Sequence, residues 1–183
     1  MSARPEQARL SVPVSDRDHS TGPANAPVTL VEYGDFECPY CGQAHPIVRK
    51  IRERFGPKLR FVFRNFPLRE IHPHAEQAAE SAEAAATKGK FWEMHDSLFE
   101  HQRALDAAHL VGYTAALGLD PAWMAEVLAG GEFAEAVRED FLSGVRSGVN
   151  GTPTFFINGV RHDGSWSFEG LVEAIEAALP KHR

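Results

Sequence analysis

The chain has 183 residues, 43% apolar and 24% charged, with a net charge of -6 and a pI near 5.8. That length can bury a core without help from disulfides, and the apolar share excludes a disordered chain. Clustered Lys and Arg are missing, which argues against a nucleic-acid partner, and no apolar run reaches the roughly 18 residues of a membrane span.

Residues 1–24 are polar and broken by Pro, and read as a flexible N-terminal arm. The opening stretch, MSARPEQARLSVPVSDRDHS, lacks the apolar core of a secretory signal. The expected location is therefore cytoplasmic, or periplasmic if a leader had been trimmed away. In a reducing cytoplasm permanent disulfides are rare.

Next, Pro27 to Tyr33 (PVTLVEY) is β-branched and apolar with little alternation, as a buried central strand requires. Pro39 suits the first position of a helix on which Ile47, Val48, Ile51 and Phe55 recur at helical spacing, and Gly56-Pro57 closes it. Lys58 to Pro67 alternates and predicts a second strand. Residues 68–150 carry no strand signal and divide into helical pieces, with a break at Gly89 and further helices near Ala107–Leu117, Pro121–Leu128 and Phe133–Ser147. After them, TPTFFINGVRHDG predicts a hairpin turning at Asn158-Gly159. A closing helix follows, with Ser167 as its N-cap and Leu171, Ile175 and Leu179 on one face. The order βαβ, helices, ββα gives an α/β fold: a mixed sheet flanked by helices. Residues 25–67 and 151–183 form its main domain and residues 68–150 an all-helical insertion.

Both cysteines lie in VEYGDFECPYCGQAH, as Cys38 and Cys41. Cys38 falls where a buried strand meets a helix N-terminus, so unpaired backbone N–H groups and the helix dipole favour its thiolate. Cys41 lies one turn further and more covered, placed to resolve a mixed disulfide formed on Cys38. Two other uses compete. A lone CxxC supplies two zinc ligands where a structural site wants four, and His45, His72 and His74 complete the set poorly, so no metal is expected. A static bridge across so short a loop adds little stability.

These residues resemble the DsbA-like branch of the thioredoxin superfamily over about Asn25 to Leu179. The carriers are VEYGDFECPYC, Pro46, GTPTFFING, and the style of HPHAEQAAESAEAAATKGKFWEMHD. The resemblance implies a thioredoxin-like fold and a thiol–disulfide oxidoreductase, with Cys38 attacking, Cys41 resolving, and no cofactor. It implies that Pro153 is the family's cis-proline and that Thr152 offers its backbone to an extended substrate. Pro39 and Tyr40, caught between the cysteines, are expected to touch substrate, while Phe91, Trp92 and Phe99 read as insertion core. Glu32 matches the buried acid beneath the second cysteine and is expected to move the Cys41 proton. Its alternatives are a solvent-facing side chain or a pair with Arg64. The implied partners are protein or peptide thiols and disulfides, together with an unidentified redox partner.

Two departures stand out. Pro39-Tyr40 is the dipeptide of glutaredoxins, and Asp35 and Glu37 should oppose a thiolate on Cys38. On that ground the couple is expected near the roughly -200 to -230 mV of glutaredoxins. An alternative function is a non-catalytic redox sensor or binding module. A kappa-type glutathione-conjugating enzyme fits less well, because that chemistry does not call for a second cysteine.

Overall fold

The computed structural model describes residues 6–181. Its sheet holds β1 (His19–Thr21), β2 (Val28–Gly34), β3 (Leu59–Asn65), β4 (Thr154–Ile157) and β5 (Val160–Arg161), in the order β1-β3-β2-β4-β5. The central strand β2 runs parallel to β3 and antiparallel to β4, so the sheet is mixed. Around it lie α1 (Pro39–Phe55), α2 (Ala75–Ala86), α3 (Phe91–Glu100), α4 (Ala107–Ala116), α5 (Pro121–Gly130), α6 (Ala134–Arg146) and α7 (Phe168–Ala178). This is a thioredoxin-like architecture in which five helices, α2 to α6, stand between β3 and β4.

The two-residue period of the strands divides the interior. Leu30, Phe61, Phe63, Phe155 and Ile157 face a large core shared with α1, α7 and the apolar sides of the intervening helices. Val31, Tyr33, Val62 and Phe156 face a smaller core closed by Phe141 of α6 and by Leu10 and Val14. Both faces of β2 are covered, which is why its sequence reads as a nearly unbroken apolar run. Turn chemistry agrees with the backbone: Asn158 and Gly159 both take positive φ, as a two-residue hairpin turn needs. Ser167 accepts from the Gly170 N–H and caps α7.

Residues 1–5 of the expected loose arm lie outside the described residues, and residues 6–24 differ from that expectation. Residues 19–21 form β1, antiparallel to β3, and Arg9 bridges to Val160 at the opposite edge of the sheet. Asp18 holds Arg64 through Nε at 2.7 Å, and Arg64 also donates to the carbonyls of Val12 and Pro13. Edge pairing needs only backbone N–H and C=O groups, so the polar HST of β1 leaves no apolar alternation to read.

Close packing against α6 sets one testable limit. A Cβ on Gly144 would lie 2.7 Å from Phe66 Cδ2 and 3.0 Å from Tyr33 Cδ1. Gly144→Ala should therefore destabilise the protein by about 1–2 kcal/mol, overpacking outweighing the better helix propensity. A rise in the denaturant midpoint would contradict this packing.

Candidate active site

Cys38 is the N-cap of α1, and Pro39 begins the helix. Proline suits that position because its missing N–H would have had no partner there. Cys38 is extended at φ -69° and ψ 122°, and no side chain caps the helix, so the first-turn N–H groups stay available to sulfur. Both cysteines are free thiols in this structure. Cys41 is fully buried, and its sulfur accepts from the Asp35 N–H at 3.4 Å. Cys38 is more covered than a reacting thiol suggests, at 3% exposure, but its 3.5 Å contact with the Thr152 carbonyl is partly open to solvent. Pro39 is exposed beside it, and Tyr40 is 61% exposed. The Thr152–Pro153 peptide is cis and stands next to Cys38.

The two sulfurs are driven apart in acidity. A hydrogen bond from the Cys41 thiol lowers the Cys38 pKa to about 5 against the opposing effect of burial. The Thr152 side chain and the backbone N–H groups of Tyr40 and Cys41 lower it further. The Thr152 hydroxyl has no other partner in its buried position, so it is free to donate to sulfur. The Thr152 carbonyl acts the other way, since it accepts from the protonated thiol. Cys41 is pushed well above the ordinary thiol value, first by burial, then by its hydrogen bond to Cys38 and the nearby Glu32 charge. One sulfur is thereby a thiolate at neutral pH while its neighbour keeps its proton.

Glu32 is 2% exposed, and its Oε1 is buried without a hydrogen-bond partner. In the β ladders it stands level with Phe63 on one side and Phe155 on the other. Burial among these apolar neighbours, with a smaller push from Cys38, raises its pKa to about 8. The alternative pair with Arg64 does not form. Arg64 is level with Tyr33, one residue along, and the strand period sends it to the opposite face of the sheet, where it meets Asp18 and the Tyr33 hydroxyl.

Asp35 and Glu37, expected to oppose a thiolate on Cys38, also build the loop through hydrogen bonds. Asp35 accepts from the N–H groups of Glu37, Cys38 and Leu68, and from His72 Nδ1 at 2.8 Å. Glu37 accepts from the His74 N–H at 2.7 Å and its Nδ1 at 3.0 Å. The HPH segment, weighed above as metal ligands, thus supplies one imidazole to each acid. Neither acid is among the main influences on the acidity of Cys38. Gln102, just past α3, was not singled out from the sequence; its amide donates to the carbonyls of Phe36 and Cys38, both at 2.8 Å. Only the folding of the helices between β3 and β4 brings it there, and no local pattern marks it.

Asp35 offers a direct test of this loop. Asp35→Ala would leave the Glu37 and Leu68 N–H groups and His72 Nδ1 without their acceptor, at about 1–3 kcal/mol for each one that water cannot reach, while the Cys38 N–H keeps the Asp35 carbonyl. A loss of roughly 3 kcal/mol or more in denaturant unfolding is expected. A change under about 0.5 kcal/mol, as at an ordinary surface site, would show that Asp35 does not hold the loop together.

Comparison with known proteins agrees with the geometry. The family model described as Thioredoxin matches residues 15–177, and the chain belongs to that family. Among solved structures, oxidised BdbD from Bacillus subtilis aligns with a TM-score of 0.84 and 25% identity, covering 94% of this chain and 98% of that one. Alpha-DsbA1 from Wolbachia pipientis aligns with a TM-score of 0.79 and 20% identity, covering 92% and 94%. The chain is a DsbA-like member of the thioredoxin superfamily. Curated relatives carry a different name. A protein of Salinispora arenicola called Na(+)/H(+) antiporter NhaA 1 is 52% identical over 171 residues, which are 93% of this chain and 26% of that protein. One of the same name from Mycolicibacterium vanbaalenii is 42% identical over 94% of this chain and 28% of its own length. The chain thus spans about a quarter of the curated relatives it matches. No helix among the described residues is long and apolar enough to cross a membrane.

Proposed function

We propose that the chain is a dithiol–disulfide oxidoreductase acting on protein or peptide thiols. The observation that carries this is the pairing of an acidified Cys38, at about 5, with a Cys41 held protonated beneath it. In the oxidising direction a substrate thiolate attacks Cys38 of the Cys38–Cys41 disulfide, and Cys41 leaves and takes a proton. A second substrate thiolate then attacks the substrate sulfur of the mixed disulfide. Cys38 departs as thiolate, the substrate gains a disulfide, and the dithiol is left for a redox partner to reoxidise. Run backwards, the same steps reduce a substrate. A thiol of low pKa leaves faster, so these electrostatics support net donation of the disulfide.

Glu32 receives and returns the Cys41 proton, the role that its raised pKa and its charge interaction with Cys41 support. An incoming chain lies between Pro39-Tyr40 and Thr152-Pro153 and contacts both. The relatives' name supports no transport role for this quarter of their length; the proposal is an exchange module, either side of a membrane being compatible with it.

An oxidative refolding assay on a reduced disulfide protein, run beside an insulin reduction assay, tests the reading. Catalytic turnover in refolding is expected. No turnover in either assay would favour the redox sensor, which changes state without passing the disulfide on. Equilibration against glutathione then places the couple, expected above the glutaredoxin range because Cys38 lies between the roughly 3.5 of DsbA and 7 of thioredoxin.

A further inference from the structure

A second cluster of chemistry-bearing side chains lies where α1 packs against α3. His45 sits one helical turn beyond Cys41 on α1, and His95 and Asp96 are neighbours on α3. One ligand atom from each of the three lies within 4.8 Å of the other two. His45 Nε2 is 3.8 Å from Asp96 Oδ1, and His95 Nδ1 is 2.9 Å from the same oxygen. Both Nε2 atoms, of His45 and of His95, are buried with no hydrogen-bond partner. Two imidazoles with an unused nitrogen, sealed among Phe36, Phe63 and Phe99, are costly unless something accepts or supplies a bond there.

We propose that His45, His95 and Asp96 form a binding site for a divalent transition metal of the zinc class. Two imidazoles and one carboxylate are a donor set that Zn²⁺ accepts, leaving a fourth position for water. Asp96 provides the way in. It is 40% exposed and lines a cleft of about 360 Å³ bounded by Thr21, Arg49, Arg52 and Glu53. Arg49 and Arg52 work against a cation there, while Glu53 and Glu100 work for it. A bound metal ties α1, which carries both cysteines, to α3 of the insertion. His45 lies one turn beyond Cys41 on the same helix, so the site adjoins the dithiol, but none of its three ligands is a cysteine.

The test removes the competing thiols first. In a Cys38→Ser, Cys41→Ser protein, Zn²⁺ measured by competition with a chromophoric chelator should bind at one equivalent and raise the unfolding temperature. Co²⁺ in its place should give visible d–d bands with no sulfur charge-transfer band. Adding Asp96→Asn should weaken binding about a hundredfold, as should His45→Gln, with Asp96→Asn the safer fold because that residue is partly exposed. Absence of binding in the double serine protein would overturn the proposal, assigning any metal to the thiols and leaving water as the occupant of the cluster. Equal affinity with and without Asp96→Asn would overturn it as well.

Discussion

Cys38→Ser is expected to reduce disulfide exchange to the uncatalysed rate, whereas Cys41→Ser should keep the first step and accumulate mixed disulfides on Cys38. The asymmetry follows from the acidities. With a pKa of about 5 instead of 9.0, Cys38 at pH 7 goes from about 1% thiolate to about 99%, a gain near a hundredfold. Lower basicity returns most of it: at a Brønsted slope of 0.4–0.5 over about four units, nucleophilicity falls roughly 40- to 100-fold. Attack by Cys38 is thus almost unchanged in rate, and the benefit lies in its departure. Resolution by Cys41 should accelerate toward alkaline pH, because its thiol is held above the ordinary value. Mass spectrometry of the reaction mixture, before and after reductant, separates the two variants. Trapped adducts on Cys38→Ser, or none on Cys41→Ser, would invert the roles.

Glu32→Gln should change how stability depends on pH, by a large amount. Glu32 has a folded pKa of about 8 against 4.5 unfolded, so between those values the native state binds the proton that the unfolded chain releases. Unfolding then releases a proton, and stability falls as pH rises through that window, by on the order of 5 kcal/mol from this group alone. Cys38 contributes oppositely in the reduced protein: its depressed pKa gives stability that is full above 9.0 and is lost as pH falls through about 5. Oxidation removes the Cys38 contribution and the smaller push of its charge on Glu32, leaving burial, the larger cause, to raise the Glu32 pKa. Urea unfolding of oxidised wild type and Glu32→Gln near the two ends of the window should show the variant gaining several kcal/mol relative to wild type at the alkaline end. An identical difference at both ends would mean that Glu32 is not held protonated. In the reduced protein, resolution by Cys41 with the same pH profile in both chains would refute the proton role separately.

The parts of this molecule that repeat locally were legible in its sequence. An apolar run gave β2, helical spacing from Ile47 to Phe55 gave α1, and Asn158-Gly159 gave the hairpin, because each is fixed by residues close in the chain. Cys38 and Cys41 could be placed for the same reason, since one helix N-terminus sets their relation. What stayed hidden depends on tertiary contact. Nothing in HST announces an edge strand, as its bonds are made by backbone to β3. The loop-building bonds of Asp35 and Glu37 were hidden because their partners, His72 and His74, lie 37 residues away. Arg64 was offered to Glu32 without knowledge of the register that puts them on opposite faces. Gln102 reaches the cysteine loop from 64 residues further along the chain.

The account rests on the Cys38 sulfur carrying a negative charge at neutral pH. Ultraviolet titration of the thiolate in the reduced protein, with Cys38→Ser as the blank, measures that charge directly. A transition near pH 5 assigned to Cys38 is expected. A single ionisation near the ordinary thiol value of 9.0, with nothing below neutrality, would contradict it.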